Sequence, residues 1–215
     1  MSKRIVIVSG GKLEESVCLP ILEGQKEGYI IGVDRGLEFL YQHQIMPDYI
    51  VGDFDSAPPE ILEEYRRQGI VMRQGPTHKN ETDMQLGMLL ALELGATELI
   101  LLGGIGDRLD HTLANAHLLL YLLKQGVKAV LVNEKNRVEL IDHATTLHGK
   151  AGDLVSIIPL SMVVRGVTLE GLEYPLVHYD LAMDDALIAV SNVMLSDTAT
   201  VTIADGYLFV MQTRD

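Results

Sequence analysis

Residues 99–124 read LILLGGIGDRLDHTLANAHLLLYLLK, and this stretch decides the fold class. Residues 99–102 form a short apolar run that is typical of a buried strand, and Gly103 and Gly104 end it. Residues 111–124 form a long apolar segment that predicts a helix. A buried strand followed by a glycine loop and a helix is typical of an open α/β sheet.

The same alternation recurs on both sides of this stretch. Strands are predicted at residues 5–8, 29–33, 49–51 and 129–133, and helices at residues 37–42, 58–67 and 82–94. Strands and helices that alternate at this spacing predict a mostly parallel sheet with helices on both faces. Ligands bind such sheets at the carboxyl ends of the strands.

After about Arg137 the pattern changes to short β-branched runs separated by glycine, aspartate or serine. The runs lie at residues 154–159, 163–169, 187–193, 198–203 and 207–212. They predict a second, all-β unit that is sandwich-like or barrel-like. The expected domains are therefore an α/β domain at residues 1–137 and a β-rich domain at residues 138–215.

Composition narrows the class of protein. With 17 Lys and Arg against 30 Asp and Glu, the net charge is −13, which argues against binding nucleic acid or an anionic membrane. Cys18 is the one cysteine, so the chain forms no intrachain disulfide and fits a reducing compartment. No run approaches the ~18 apolar residues of a membrane span. A cytoplasmic protein is expected.

Four polar clusters follow apolar runs in the first half of the chain. They are Asp34-Arg35-Gly36, Gly52-Asp53-Phe54-Asp55-Ser56, Lys79-Asn80-Glu81-Thr82-Asp83 and residues 103–111. Carboxylates are costly near a core unless they meet cations or donors, and Mg²⁺ prefers such hard oxygen ligands. The clusters therefore predict an enzyme that depends on a metal ion and a nucleotide.

The cluster from Gly52 to Ser56 is the first candidate metal site. On an extended segment, Asp53 and Asp55 share one side while Phe54 points into the core. Two carboxylates this close repel each other unless a cation lies between them, which favours a divalent metal. The structural alternative is that Asp55 caps the helix that begins near Pro58 and that Asp53 is solvated.

The cluster from Lys79 to Asp83 has two interpretations. Lys79 can meet phosphate while Asp83 coordinates a metal at the start of a helix. Taken alone, an N-terminal cap with acids that favour the helix dipole is the better interpretation. Taken with the Gly52 cluster, Asp83 is the third carboxylate that a Mg²⁺ ion bridging two phosphates would use.

Residues 103–111 are a candidate phosphate loop. The glycines allow the backbone to approach a phosphate, Arg108 can donate two hydrogen bonds to phosphate oxygens, and Asp110 can accept from a hydroxyl or a ring nitrogen. The sequence contains neither G-x-x-x-x-G-K-[ST] nor a full G-x-G-x-x-G. The structural alternative is a glycine turn with Asp110 as the helix cap, and His111 and His117 as ordinary helix residues.

Six motifs in this order resemble those of the bacterial thiamine pyrophosphokinase family. They are Asp34-Arg35-Gly36, residues 47–56, residues 79–83, residues 103–115, Gly171-Leu172-Glu173-Tyr174-Pro175-Leu176 and Ser191-Asn192. The match covers nearly the whole chain. It implies a Rossmann-like α/β catalytic domain followed by a β-sandwich that binds thiamine.

The resemblance also implies a reaction and roles for individual residues. The pyrophosphoryl group of ATP would pass to the hydroxyethyl oxygen of thiamine, giving thiamine diphosphate and AMP, in a homodimer whose active site lies between subunits. Catalytic roles fall to Asp53, Asp55, Asp83 and Asp110, and the first three would hold Mg²⁺. ATP-binding roles fall to Asp34, Lys79, Thr82, Gly104, Gly106, Arg108, His111 and Asn115, and thiamine-binding roles to Ser191 and Asn192.

The chain departs from the family pattern around the last motif. Family members tend to have glycines before the Ser-Asn pair and an acid after it, whereas here Asp184-Asp185-Ala186 precede the pair and Val193 follows it. Two alternatives therefore stay open: pyrophosphoryl transfer to another heterocyclic alcohol such as a 6-hydroxymethylpterin, and a non-catalytic sensor of thiamine or nucleotide.

Overall fold

The computed structural model describes residues 2–54, 57–74 and 81–215, and two compact units meet in sequence between Glu134 and Lys135. Each unit has its own hydrophobic core. Within the described residues, no helix is long and apolar enough to cross a membrane.

The first unit is an α/β unit. Its strands are β1 (Arg4–Val8), β2 (Tyr29–Val33), β3 (Tyr49–Gly52), β4 (Val71–Gln74), β5 (Glu98–Leu102) and β6 (Lys128–Val132). Its helices are α1 (Glu15–Glu23), α2 (Gly36–Gln42), α3 (Pro59–Arg67), α4 (Asp83–Glu93) and α5 (Leu109–Lys124). The strands pair in parallel in the order β6-β5-β1-β2-β3-β4, so the predicted sheet is confirmed.

The order of the strands reverses at β1. Strands β2, β3 and β4 follow β1 to one side, whereas β5 and β6 lie on the other side. Such a switch point opens a crevice at the carboxyl ends of the two central strands, because the connections leave in opposite directions. Both faces of β1 are covered: Val6 and Val8 pack in a core with α1 residues, while Ile7 lies against Gly87 of α4.

The second unit is a β-sandwich. Its strands are β7 (Asn136–Ile141), β8 (Ala144–His148), β9 (Leu154–Pro159), β10 (Val163–Glu170), β11 (Tyr179–Ala182), β12 (Asn192–Val193), β13 (Thr198–Thr202) and β14 (Leu208–Thr213). Antiparallel pairing gives the orders β12-β9-β14-β7 and β11-β10-β13-β8. One core cluster contains residues of both sheets, for example Ile157 and Val201, so the two sheets pack face to face.

The prediction of one strand from the sequence is wrong. The apolar run at residues 187–193 predicts a strand, but Met183–Ala189 is a 3₁₀-helix and only Asn192–Val193 pairs as a strand. Ser191 interrupts the run because its φ of 60° is left-handed, which is incompatible with an extended strand. The chain therefore bends at residues 190–191 before Asn192 and Val193 pair with β9.

Candidate functional site

A cavity of about 660 Å³ opens at the switch point of the first unit, and we call it the switch-point cavity. Its walls come from the loops after β1, β2 and β5, and from the first turns of α4 and α5. The lining residues are Ser9, Gly10, Gly11, Lys12, Asp34, Arg35, Thr82, Asp83, Met84, Gly103, Gly104, Gly106, Asp107, Arg108, His111 and Asn115. Most of the ATP-binding residues predicted from the sequence are among them.

Two glycines hold the loops after β1 and β5 against each other. The backbone N–H of Gly11 donates to the carbonyl oxygen of Gly103 at 3.1 Å. A Cβ on Gly11 would lie 2.2 Å from that oxygen, and a Cβ on Gly103 would lie 2.2 Å from the carbonyl oxygen of Ser9. Gly103 also has a φ of 71°. No other residue fits either position, so the floor of the cavity is bare backbone.

The loop after β5 is fixed by side chains of α5. The amide of Asn115, which is buried, donates to the carbonyl oxygen of Gly104 at 2.8 Å. The hydroxyl oxygen of Thr112 accepts from the backbone N–H of Gly106 at 3.2 Å. The resemblance implies an ATP-binding role for Asn115, and the structure shows that its amide holds the glycine loop in shape.

Arg108 and Asp110 form a two-point ion pair at the mouth of the cavity. Arg108 donates from Nε to Oδ1 at 3.2 Å and from Nη2 to Oδ2 at 2.7 Å, and both side chains are largely exposed. These hydrogen bonds, together with one from the backbone N–H of His111, lower the pKa of Asp110 to about 2. The residue that precedes α5 is Arg108, so the structural alternative of Asp110 as the cap is wrong.

Two of the candidate carboxylates reach the switch-point cavity. Asp34, at a φ of 50°, and Asp83, in the first turn of α4, both line it. Asp53 directly follows Gly52, the last residue of β3. The end of β3 lies close to Asp34, because a Cβ added to Gly52 would be 3.7 Å from the backbone nitrogen of Asp34. Asp55, Ser56, Lys79 and Asn80 lie outside the described residues. Carboxylate oxygens are the ligands that Mg²⁺ prefers, although no three possible ligands cluster within the described part of the chain.

The backbone at Phe54 differs from the extended segment that the sequence predicts. Phe54 has a φ of 63°, which is left-handed and unusual for an aromatic residue. Its ring still packs against the core around Leu37 and Tyr65, as expected. The backbone at Phe54 is therefore not extended. Side chains alternate between two sides only along an extended strand, so this alternation gives no prediction beyond Phe54. Strain of this kind is concentrated at functional sites.

Thr82 caps α4, as the structural interpretation of its cluster predicts. Its hydroxyl oxygen accepts from the backbone N–H of Gln85 at 3.3 Å, and its own N–H donates to Oε1 of Gln85 at 3.1 Å. This capping box leaves the Thr82 side chain at the edge of the cavity. A capping role and contact with a nucleotide are compatible there.

Asn192 in the second unit is buried and bonded to backbone. Its Oδ1 accepts from the N–H groups of Tyr174 and Val193, both at 2.9 Å, and its Nδ2 donates to the carbonyl oxygen of Tyr174 at 2.7 Å. The amide thereby fixes the backbone at Tyr174, whose ring is exposed. Ser191 is exposed, and its N–H donates to the hydroxyl of Ser156 at 3.0 Å.

Sequence reasoning missed part of the switch-point cavity. Ser9, Gly10, Gly11 and Lys12 line it, as does Arg35. A usable signal was present: a glycine pair ends β1 just as Gly103 and Gly104 end β5. What the sequence does not give is that β1 and β5 are neighbours, since 94 residues separate the paired ends.

Two family models match the chain. The model "Thiamin pyrophosphokinase, catalytic domain" matches residues 23–131, and "Thiamin pyrophosphokinase, vitamin B1 binding domain" matches residues 141–208. The first match spans just over half of the 215 residues.

Two relatives are similar over most or all of this chain. Thiamine pyrophosphokinase of Bacillus subtilis is 28% identical over 217 residues, which cover 99% of this chain and 100% of that protein. Thiamine pyrophosphokinase 1 of Oryza sativa is 24% identical over 79% of this chain and 67% of that protein.

Solved structures agree in fold. The crystal structure of the Bacillus subtilis enzyme has a TM-score of 0.88, covering 99% of this chain and 100% of that one. Thiamin pyrophosphokinase of Geobacillus thermodenitrificans, 28% identical, has a TM-score of 0.85 over 99% of this chain and 98% of that one. With one family model over each unit and full-length similarity in sequence and structure, the chain belongs to the thiamin pyrophosphokinase family.

Proposed function

We propose that the switch-point cavity holds the polyphosphate of ATP during pyrophosphoryl transfer to thiamine. Family membership assigns the overall reaction, in which ATP and thiamine give thiamine diphosphate and AMP. The observation that carries our assignment of the cavity is its bare glycine floor at the carboxyl ends of β1 and β5, bordered by carboxylates and arginines. A backbone without side chains lets a phosphate approach closely, as in other open α/β sheets.

Binding of the phosphates falls to the loop after β5 and to two cations. The backbone at Gly104 and Gly106 approaches the phosphates, while Arg108 and Lys79 donate to their oxygens. Arg108 suits this task because Asp110 already orients its guanidinium group, and the group keeps further N–H donors for phosphate. Asp34 and His111 complete the nucleotide site from the lining of the cavity.

Asp53, Asp55 and Asp83 are the proposed ligands of Mg²⁺. When bound, the ion would neutralise part of the charge on the polyphosphate. The contribution of the chain is to gather hard oxygen donors at the ends of neighbouring elements. Asp83 lies on α4 inside the cavity and Asp53 directly follows β3.

The transfer step depends mainly on the alignment of the thiamine hydroxyl with the β-phosphorus of ATP. The hydroxyl oxygen of thiamine forms a bond to the β-phosphorus, the bond from that phosphorus to the oxygen shared with the α-phosphorus breaks, and AMP leaves with the electron pair. The hydroxyl proton passes to a carboxylate. Asp110 is a poor acceptor for it because Arg108 keeps its pKa near 2, so we assign Asp110 to the orientation of Arg108.

Thiamine recognition falls to the second unit. The family model over residues 141–208 carries the name of a vitamin B1 binding domain, which supports this division. Asn192 supports the site by fixing the backbone of Tyr174, and the exposed Ser191 is available to the pyrimidine ring. We further propose a homodimer in which this unit serves the cavity of the neighbouring subunit, and a cytoplasmic location, supported by the single, buried Cys18.

The experiment is an acceptor comparison with purified protein, ATP and Mg²⁺. Release of AMP is measured with thiamine, with 6-hydroxymethylpterin and without acceptor, and the products are identified by mass spectrometry. Thiamine diphosphate formed together with an equal amount of AMP is the expected result. Faster transfer to the pterin would support the first alternative, and nucleotide binding without AMP release would support the sensor.

A further inference from the structure

Lys12 lies where the loops after β1 and β5 meet. It lines the switch-point cavity, and its backbone nitrogen lies 3.8 Å from the position that a Cβ on Gly106 would occupy. The contact between Gly11 and Gly103 fixes the chain one residue before it. The backbone of this lysine is therefore held beside the proposed phosphate loop, and its side chain is 66% exposed.

Glu14 holds the ammonium group of Lys12. Nζ of Lys12 lies 3.2 Å from Oε1 of Glu14, whose side chain is only 13% exposed. The other carboxylate oxygen, Oε2, is buried and has no hydrogen-bond partner within the described part of the chain. Glu14 precedes α1, yet its side chain does not cap that helix. The ion pair of this largely buried carboxylate is with Lys12, and the carboxylate does not cap the helix.

The charges around Lys12 favour its protonated form. The hydrogen bond and the charge of Glu14 raise the pKa of Lys12, and Glu134 and Asp107 add to the effect. Arg108, another cation of the described cavity wall, uses two of its N–H donors on Asp110. Lys12 makes one ion contact and keeps N–H donors for a ligand, because an ammonium group carries three.

We propose that Lys12 is a further polyphosphate-binding residue and that Glu14 is the positioning residue that aims it. This inference rests on the proposed function, in which the cavity holds ATP. When ATP binds, the ammonium group of Lys12 donates to a phosphate oxygen, either in place of Glu14 or together with it. A lysine of this kind binds phosphate as a point charge, so an arginine should replace it in part.

The test measures binding without turnover. Dissociation constants for ATP and for inorganic tripolyphosphate are determined by calorimetry in the absence of thiamine, for the wild type and for Lys12→Ala, Lys12→Arg and Lys26→Ala. We expect Lys12→Ala to weaken both ligands about tenfold and Lys12→Arg to weaken them less, because one charge-assisted hydrogen bond is lost and then partly restored. Lys26 is exposed outside the cavity, so Lys26→Ala is the matched control for the loss of one positive charge.

A double variant separates ligand binding from the structural role of the ion pair. Lys12→Ala leaves Glu14 without its partner and can lower the melting temperature, whereas Lys12→Ala/Glu14→Gln removes both charges. We expect the double variant to melt close to the wild type and to bind ATP as weakly as Lys12→Ala. Glu14→Gln alone should weaken ATP binding only where Lys12 is present, since the two residues act as one unit.

The outcomes are distinct. Binding of ATP by Lys12→Ala within about twofold of the wild type overturns the role of Lys12, a threshold well below the expected loss. An equal effect of Glu14→Gln with and without Lys12 overturns the positioning role. Failure of the wild type to form thiamine diphosphate would overturn the proposed function instead, and that assay is independent of the binding measurements.

Discussion

Arg108 lowers the pKa of Asp110 from its ordinary value near 4 to about 2, and this shift has a consequence for the pH profile. Because the folded pKa is depressed, the stabilisation from the pair is present above about pH 4 and is lost as the pH falls towards 2. Asp110 therefore stays ionised at neutral pH and is not the group that titrates in the acidic limb of the activity profile.

We expect Asp110→Asn to lower kcat/KM for ATP about tenfold without moving the acidic limb of the pH profile, because Arg108 loses its anchor while the group that titrates remains. The measurement is kcat/KM against pH for both proteins. A displaced or missing acidic limb would make Asp110 the proton acceptor after all.

The metal ligands give a second prediction for single residues. Asp53→Asn, Asp55→Asn and Asp83→Asn should each lower kcat by about two orders of magnitude or more, because the charge that offsets the polyphosphate is lost. The melting temperature should change by less than about 2 °C, since asparagine has the same size and shape as aspartate. Steady-state kinetics at saturating Mg²⁺ and thermal melts check both. Asp142→Asn, at an exposed residue of the second unit, is the control. Near-normal turnover of a variant would remove that residue from the ligand set.

At the scale of elements, Asn192 couples β12 to the segment that carries Tyr174. Asn192→Ala removes three hydrogen bonds to backbone and should destabilise the second unit by about 1–3 kcal/mol. Because Tyr174 loses its support, we expect the KM for thiamine to rise much more than the KM for ATP. Denaturant unfolding and a pair of saturation curves are the measurements. Equal changes in both constants would separate Asn192 from the acceptor site.

The sequence predicts most elements of the first unit because their apolar runs are strong. Residues 29–33 form a strand with the predicted bounds, and α4 lies between Thr82 and Leu94, its predicted ends. Helix α1 and strand β4 were not predicted. Pro20 lies inside α1 and obscures its helical pattern, and β4 is mostly exposed, so it has no buried run to recognise.

Local patterns fail where a single backbone angle decides the structure. Phe54 and Ser191 both have left-handed φ values. Neither residue type favours that conformation, so the sequence does not predict it. The loop after β5 was found because its glycines stand next to charged residues. The loop after β1 was missed because its role depends on a neighbour that only the sheet order supplies.

At the scale of the whole molecule, the proposed homodimer predicts an effect of dilution. If each cavity needs the second unit of a neighbouring subunit, specific activity should fall as the dimer dissociates. Activity is measured across a dilution series down to nanomolar protein, with light scattering or sedimentation to follow the mass. A monomer with full specific activity would contradict the shared site.

The parallel pairing of β1 with β5 also bears on how the chain acquires its site. The paired ends are 94 residues apart, so the contact between Gly11 and Gly103 closes a long loop of chain. Contacts of such long range form slowly and late, because the entropy of closing the loop is lost before the contact stabilises anything. During synthesis, the loop after β1 cannot form its contact with Gly103 until β5 and the residues after it have left the ribosome. Nucleotide binding should consequently appear as one of the last events of refolding, after the recovery of helical signal.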